Sequence, residues 1–139
     1  MSGPDRDDLW LKVQEWIAIA ADDQRAARTL ISLDPPLLGI AAYHIQQAAE
    51  KLLKAVLVRA NRDFRKTHDL EGLVRIAVET TGSLASFATP MGDWTAWSVM
   101  FRYPSETGPE PEPPVEELWA ALDVLASFQD ALQALGHPG

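Results

Sequence analysis

An apolar repeat with the period of an α-helix constrains the fold of this chain more than any other feature. Between residues 37 and 60, apolar and small side chains recur every three or four positions, so that they share one face of a helix. The stripe consists of Ala41, Ile45, Ala48, Ala49, Leu52 and Val56. Because its small residues let a neighbouring helix approach closely, we expect this helix to be the central one of an all-α domain.

Three more long helices are predicted by the same spacing. The first ends at the Asp-Pro-Pro run at 34–36, because proline supplies no amide hydrogen to continue the helix. The third is expected to be capped by Thr67 and to weaken at 80–82. The last covers 115–135 and ends at Gly136. Its expected buried stripe comprises Leu118, Trp119, Leu122, Leu125, Leu132 and Leu135.

A short aromatic helix is expected before the last long one, since Trp94 and Trp97 stand at helical spacing. Residues 104–114 follow it with five prolines, one glycine and three glutamates, a composition that predicts a flexible loop. The whole pattern predicts one domain over residues 1–139, an antiparallel up-and-down bundle of four main helices plus a short fifth. A chain of 139 residues can bury such a core without a disulfide or a metal.

Several classes of protein are excluded by what the sequence lacks. It contains no cysteine, which removes disulfide frameworks and Cys-ligated metals and fits a reducing cytoplasm. No apolar stretch approaches the ~20 residues that span a bilayer, and the N-terminus carries acids where an export signal is basic. Glycine-rich phosphate loops, His-Glu-x-x-His zinc pairs and Glu-x-x-His di-iron pairs do not occur. We expect a cytoplasmic protein with no membrane association, no metal site and no cofactor.

The charge of the chain is unevenly distributed. The net charge is -8, but residues 51–75 hold seven of the twelve basic residues against three acids, which makes this segment +4 and the remainder -12. A basic strip on an acidic molecule can hold a phosphate or a negatively charged partner surface. The alternative is an ordinary solvated helix face that carries lysine and arginine.

Three motifs carry a resemblance to a known family. Residues 42–57 read AYHIQQAAEKLLKAVL, residues 64–70 read FRKTHDL, and residues 102–104 read RYP. The chain resembles the HEPN family in these three motifs, in their order and in the distances between them. The central helix of that family typically contains Gln-Ala-Ala-Glu-Lys followed by Leu-Lys-Ala. The resemblance runs from the first helix to the last.

The resemblance implies an antiparallel helical bundle, a homodimer, and a small nucleotidyltransferase partner in a toxin–antitoxin-like system. Many relatives are metal-independent ribonucleases, in which four to six residues separate an Arg from the His that follows it. Starting from Arg102, the corresponding positions here are Thr107, Gly108 and Pro109, so the cleavage motif is incomplete. We therefore expect a member that binds and does not cut.

Arg102 and Tyr103 are the strongest candidates for binding. A guanidinium can hold a phosphate through two hydrogen bonds, and a phenol ring can stack on a base. The structural alternative is that Arg102 satisfies carbonyls at a helix end while Tyr103 covers the core. Lys51 and Lys54 could face the same phosphate or pair with charges on adjacent helices.

No residue is a firm catalytic candidate, and His68 and His44 are the two weak ones. His68 stands at the expected start of the third helix, where it can bind the ligand or form a hydrogen bond that fixes the turn. His44 neighbours the stripe residue Ile45, so we expect partial burial with a satisfied ring nitrogen.

Three functions remain open at this point. The first is a non-catalytic module that binds a nucleotide, RNA or a nucleotidyltransferase near Arg102, Tyr103, Lys51, Lys54 and His68. The second is a divergent metal-independent ribonuclease that uses His68 or His44. The third is a purely structural bundle whose helices only pair with another protein.

Overall fold

The computed structural model describes residues 5–64, 69–98 and 111–138, and the regular secondary structure in these ranges is helical, with no strand. The prediction of an all-α chain is therefore confirmed. The α-helices are α1 (Arg6–Ile31), α2 (Leu38–Arg59), α3 (Leu70–Thr80), the single turn α4 (Ala85–Ala88) and α5 (Val115–Leu135). Two 3-10 segments, Gly82–Leu84 and Thr89–Ser98, lie on either side of α4. In these described ranges no helix is long and apolar enough to cross a membrane.

Local capping explains where α1 begins and ends. The Asp5 side chain accepts a hydrogen bond from the amide of Asp7 at 2.8 Å, so Asp5 is the N-cap. The helix ends at Ile31, ahead of the prolines, and the amide of Ser32 donates to the carbonyl of Arg28 at 3.1 Å. The connection that contains the two prolines is short, because α2 already begins at Leu38.

The first turn of α2 is capped from a distant part of the chain. Its N-cap residue, Leu37, offers no side-chain acceptor, but the amide of Gly39 donates to Oε2 of Glu112 at 2.7 Å. A carboxylate at this end of a helix is also favoured by the helix dipole. Glu112 thus contacts α2 from a stretch, residues 111–114, that has no regular structure. Residues 104–110 lie outside the described residues, so the flexibility of the whole loop stays a prediction.

The cap of α3 corrects the sequence-based assignment. The Asp69 carboxylate accepts from the amide of Glu71 at 3.1 Å, so Asp69 is the N-cap of α3 and stands before its first turn. Thr67, the expected cap, lies outside the described residues. Both residue types accept hydrogen bonds well, which is why the sequence could not distinguish them.

The core is built around α2, as its alanine-rich stripe predicts. Every alanine from position 41 to position 55 is fully buried, so α1 packs closely against this face. The side chains of α2 that are no more than 1% exposed and face the core are Ala41, Ala42, Ile45, Ala48, Ala49, Leu52, Leu53, Ala55, Val56 and Leu57. Gly136, with φ of 69°, ends α5 at the predicted position.

The predicted stripe of α5 is wrong at Trp119. The side chain of Trp119 is 40% exposed, while Phe128, which the prediction left out, is fully buried. Residues 118, 121, 125, 128 and 132 are buried at spacings of three and four, and Trp119 lies 100° away from Leu118 around the helix. Phe128 therefore fills the centre of the packed face.

The aromatic segment belongs to the core. The Trp94 and Trp97 rings stack with centroids 5.6 Å apart and planes within 5°, and both side chains are buried. The backbone here is a 3-10 helix and not the expected short α-helix. Hydrophobic packing of the two rings, and not stacking on a base, accounts for their position.

Arg59 fastens the end of α5 to the end of α2. Its Nε donates to the carbonyl of Gly136 at 2.8 Å, and its Nη2 donates to those of Leu135 and His137 at 3.2 Å. These carbonyls have no partner within the helix, so the guanidinium satisfies acceptors that α5 leaves open.

We expect Arg59→Met to lower the free energy of unfolding by about 1–2 kcal/mol, because charge-assisted hydrogen bonds to helix-end carbonyls are lost. Urea unfolding followed by circular dichroism measures the change. Arg62→Met is the matched control, since Arg62 is 47% exposed and reaches Glu79 only at 4.0 Å. Equal losses in the two variants would contradict the assigned role.

Candidate functional site

Three of the sequence-based site residues lie on one side of α2. His44, Lys51 and Lys54 are separated by seven and three positions, which returns them to neighbouring angles around the helix. Asp23 of α1 faces this side of α2, because the two helices pack along their length. The result is a polar band beside an alanine-rich core.

Asp23 joins two of these residues in what we call the Asp23 cluster (Asp23, His44 and Lys51). One carboxylate oxygen lies 2.9 Å from Nδ1 of His44, and the other accepts from Nζ of Lys51 at 2.7 Å. Since a carboxylate oxygen only accepts hydrogen bonds, Nδ1 of His44 carries the proton in this contact, and Nε2 is the ring nitrogen that does not face Asp23. Asp23 therefore fixes both the tautomer of His44 and the position of the Lys51 ammonium.

Lys54 lies in a second, more deeply buried contact. Its Nζ donates to Oε1 of Glu50 at 2.9 Å, and the two side chains are only 12% and 3% exposed. The ammonium also lies 5.9 Å from the ring centroid of Trp16 and 5.4 Å from that of Phe64, which meet edge to face. The charge of Lys54 is thus held by a carboxylate and two aromatic rings.

Gln46 extends the polar band into the core. Its Oε1 accepts from Nε2 of Gln47 at 2.7 Å, and the side chain is fully buried. Its own Nε2 is the one buried side-chain nitrogen or oxygen of the described ranges that has no hydrogen-bond partner. A buried donor without a hydrogen-bond partner destabilises the fold, so an acceptor group that came within reach of Nε2 would be bound favourably.

The ion pairs change what the two lysines can do. Both were predicted to face a phosphate, and both are already paired with a carboxylate, the alternative that the sequence also left open. Lys51 is 21% exposed and can be reached from solvent, so a phosphate there competes with Asp23. Lys54 is more enclosed and would have to leave Glu50 and its aromatic contacts. Their role in ligand binding stays a prediction.

The other predicted site residues cannot be placed beside this band. His68, Arg102 and Tyr103 all lie outside the described residues. Their roles in holding a phosphate or a base therefore stay predictions. Within the described ranges, no group of three or more histidine, aspartate or glutamate side chains is arranged to hold a metal ion.

A groove that the sequence analysis missed runs between α1 and α2 beside the Asp23 cluster. We call it the α1–α2 groove; its volume is about 480 Å³, and its lining is mostly apolar. It is lined by Asp22, Arg25, Ala26, Thr29, Leu30, Ile40 and His44. The available signal was Ile40, an apolar residue outside the alanine-rich stripe, whose side chain is 45% exposed. His44 thus belongs both to the cluster and to the groove.

Comparison with known proteins agrees with the motifs. The family model described as HEPN domain matches residues 13–135, which is most of the chain. No curated protein and no solved structure matches the chain significantly. The family match covers α2, the Asp23 cluster and the α1–α2 groove.

Proposed function

The chain belongs to the HEPN domain family, and on that premise we propose that it is a non-catalytic binding module of a toxin–antitoxin-like system. It forms a homodimer, works with a nucleotidyltransferase partner and takes a phosphate-bearing ligand, a nucleotide or RNA. The ligand binds in the region of Arg102, Tyr103, Lys51, Lys54 and His68. We also propose that the four main helices run antiparallel to their neighbours, as the family resemblance implies.

The Asp23 cluster is the observation that carries this proposal. It holds one lysine and one histidine at a fixed separation beside an open groove, with a single carboxylate between them. A phosphate oxygen has the same acceptor chemistry as that carboxylate, so it can take the place of Asp23 on Lys51. The non-catalytic part is supported by the sequence, because no histidine follows Arg102 at the spacing that cleavage uses.

We expect Asp23→Asn to bind labelled RNA or nucleotide about tenfold more tightly, since the variant frees the Lys51 ammonium for a charge-assisted hydrogen bond. Lys51→Ala and Arg102→Ala should each weaken retention, and the loss should be larger at low salt. Fluorescence anisotropy across a salt series measures all three. Glu15→Gln is the matched control, because Glu15 is an exposed carboxylate on the same helix and does not contact Lys51.

The outcomes separate the three functions. Equal affinities of the Asp23→Asn and Glu15→Gln variants, with Lys51→Ala unchanged, would remove the Asp23 cluster from the binding site. RNA cleavage that His68→Ala or His44→Ala abolishes would make the protein a ribonuclease. Retention without cleavage supports the binding module.

A purely structural interaction bundle is the second candidate. Two observations support this candidate: Ile40 is exposed in the groove, and Lys54 is enclosed with Glu50, which leaves that lysine less available to a phosphate. This function predicts no RNA or nucleotide retention. It predicts instead a protein partner that stays bound at high salt, where charge-dependent contacts weaken.

A further inference from the structure

Exposed apolar side chains are frequent in the part of the chain that forms the α1–α2 groove. Six large apolar side chains in the described ranges are at least 40% exposed, and four of them fall between residues 19 and 40, the stretch that supplies all of the groove lining except His44. These four are Ile19, Leu33, Leu37 and Ile40. Apolar surface concentrated in one place, with a polar rim, marks a contact surface more often than it marks an ordinary wet face.

The outward side of α1 next to the groove is suited to close helix packing. We call it the outer face of α1 and define it by Ala18, Asp22, Arg25 and Thr29, which recur at spacings of four, three and four and are all exposed. Two of the four side chains are small, so a second helix can approach without a steric clash. Asp22, Arg25 and Thr29 also line the groove.

The two charges on the outer face of α1 are self-complementary. Asp22 and Arg25 are three residues apart, and neither is ion-paired with another described residue. If two copies of α1 cross antiparallel about a two-fold axis between these positions, Asp22 meets the partner's Arg25 and Arg25 meets the partner's Asp22. Ala18 then meets the partner's Thr29, so small side chains also face each other across the axis.

We propose that a second copy of this chain occupies the α1–α2 groove, with the outer faces of α1 in contact and two reciprocal Asp22–Arg25 ion pairs across the axis. This deepens the homodimer of the proposed function and rests on it. Because His44 lines the groove and contacts Asp23, the second copy also covers one side of the Asp23 cluster. The dimer therefore leaves the phosphate ligand to approach the cluster from the side of Lys51.

Charge reversal gives a direct test. Asp22→Arg places arginine against the partner's Arg25, and Arg25→Asp places aspartate against the partner's Asp22, so like charges meet twice in either homodimer. We expect each single variant to raise the dimer dissociation constant by about tenfold or more. Mixing the two single variants should restore a dimer, because each unlike pair then meets its opposite charge. The double variant D22R/R25D should dimerise by itself.

Analytical ultracentrifugation over a concentration series measures the assembly, and circular dichroism confirms that each variant is folded. Asp123→Arg and Arg62→Asp carry the same charge changes on exposed positions of α5 and of the α2–α3 connection. They should dimerise like the original chain. Restored assembly in the mixture, together with unaffected controls, is the result that supports the proposal.

The other outcomes overturn it in distinguishable ways. Dimers that persist in both single variants, or a mixture that fails to reassemble, would place the homodimer contact elsewhere. An original chain that stays monomeric at all concentrations would remove the homodimer itself, while RNA retention still tests the binding function separately. Loss of nucleotidyltransferase binding in the single variants without any dimer would assign the groove to that partner.

Discussion

Phe128→Ala is expected to lower the free energy of unfolding by about 4 kcal/mol. The ring is fully buried in the packed face of α5, among side chains from the centre of the core. Removing it forfeits the transfer free energy of the ring and leaves a cavity that surrounding helices fill only in part. Urea unfolding followed by circular dichroism at 222 nm measures the midpoint and the slope, from which the free energy follows.

Trp119→Ala is the matched control on the same helix. It also removes a large aromatic ring, but the ring is 40% exposed and buries less apolar surface, so we expect a loss of about 1–2 kcal/mol, smaller than that of Phe128→Ala. The comparison tests the register of α5 directly. A larger loss for Trp119→Ala than for Phe128→Ala would mean that α5 is rotated and that the original stripe was correct.

Glu50→Gln is expected to lower the free energy of unfolding by about 3 kcal/mol. The substitution keeps the shape of the side chain but removes its charge, so the Lys54 ammonium, 12% exposed, loses its carboxylate. The rings of Trp16 and Phe64 still face the ammonium, but they replace only part of the lost attraction. The same urea experiment measures this loss.

A second substitution separates loss of the ion pair from loss of packing. In the double variant Glu50→Gln/Lys54→Met the enclosed cation is gone, so we expect part of the stability to return. Asp23→Asn is the comparison for Glu50→Gln. Its partner Lys51 is more exposed than Lys54 and can turn toward water, so we expect a smaller loss of stability. A double variant that is less stable than Glu50→Gln alone would show that Lys54 stabilises the fold through contacts other than Glu50.

Much of the fold could be predicted because helices are local structures. The limits of α2 and α5 follow from apolar spacing, from the prolines before α2 and from Gly136. The prediction failed at Trp119, because both it and Leu118 are apolar and one residue corresponds to 100° of rotation. Only packing against the other helices decides between adjacent positions.

The candidate site was less predictable, since its contacts join distant parts of the chain. His44, Lys51 and Lys54 could be recognised from the motif on α2, but Asp23 belongs to another helix, 28 residues from Lys51. By contrast, Glu50 and Lys54 are four apart on one helix, a separation at which pairs form locally. The groove was missed because exposure of Ile40 depends on how α1 and α2 pack.

The bond from Gly39 to Glu112 also bears on how the protein is made. The two residues are 73 positions apart, so at ribosomal rates of 5–20 residues per second the carboxylate is synthesised roughly 4–15 s after the amide that it caps. During that interval the first turn of α2 has no side-chain cap. A nascent chain stalled before residue 112 would therefore present the open start of its central helix to chaperones and proteases, and completion of translation would close it.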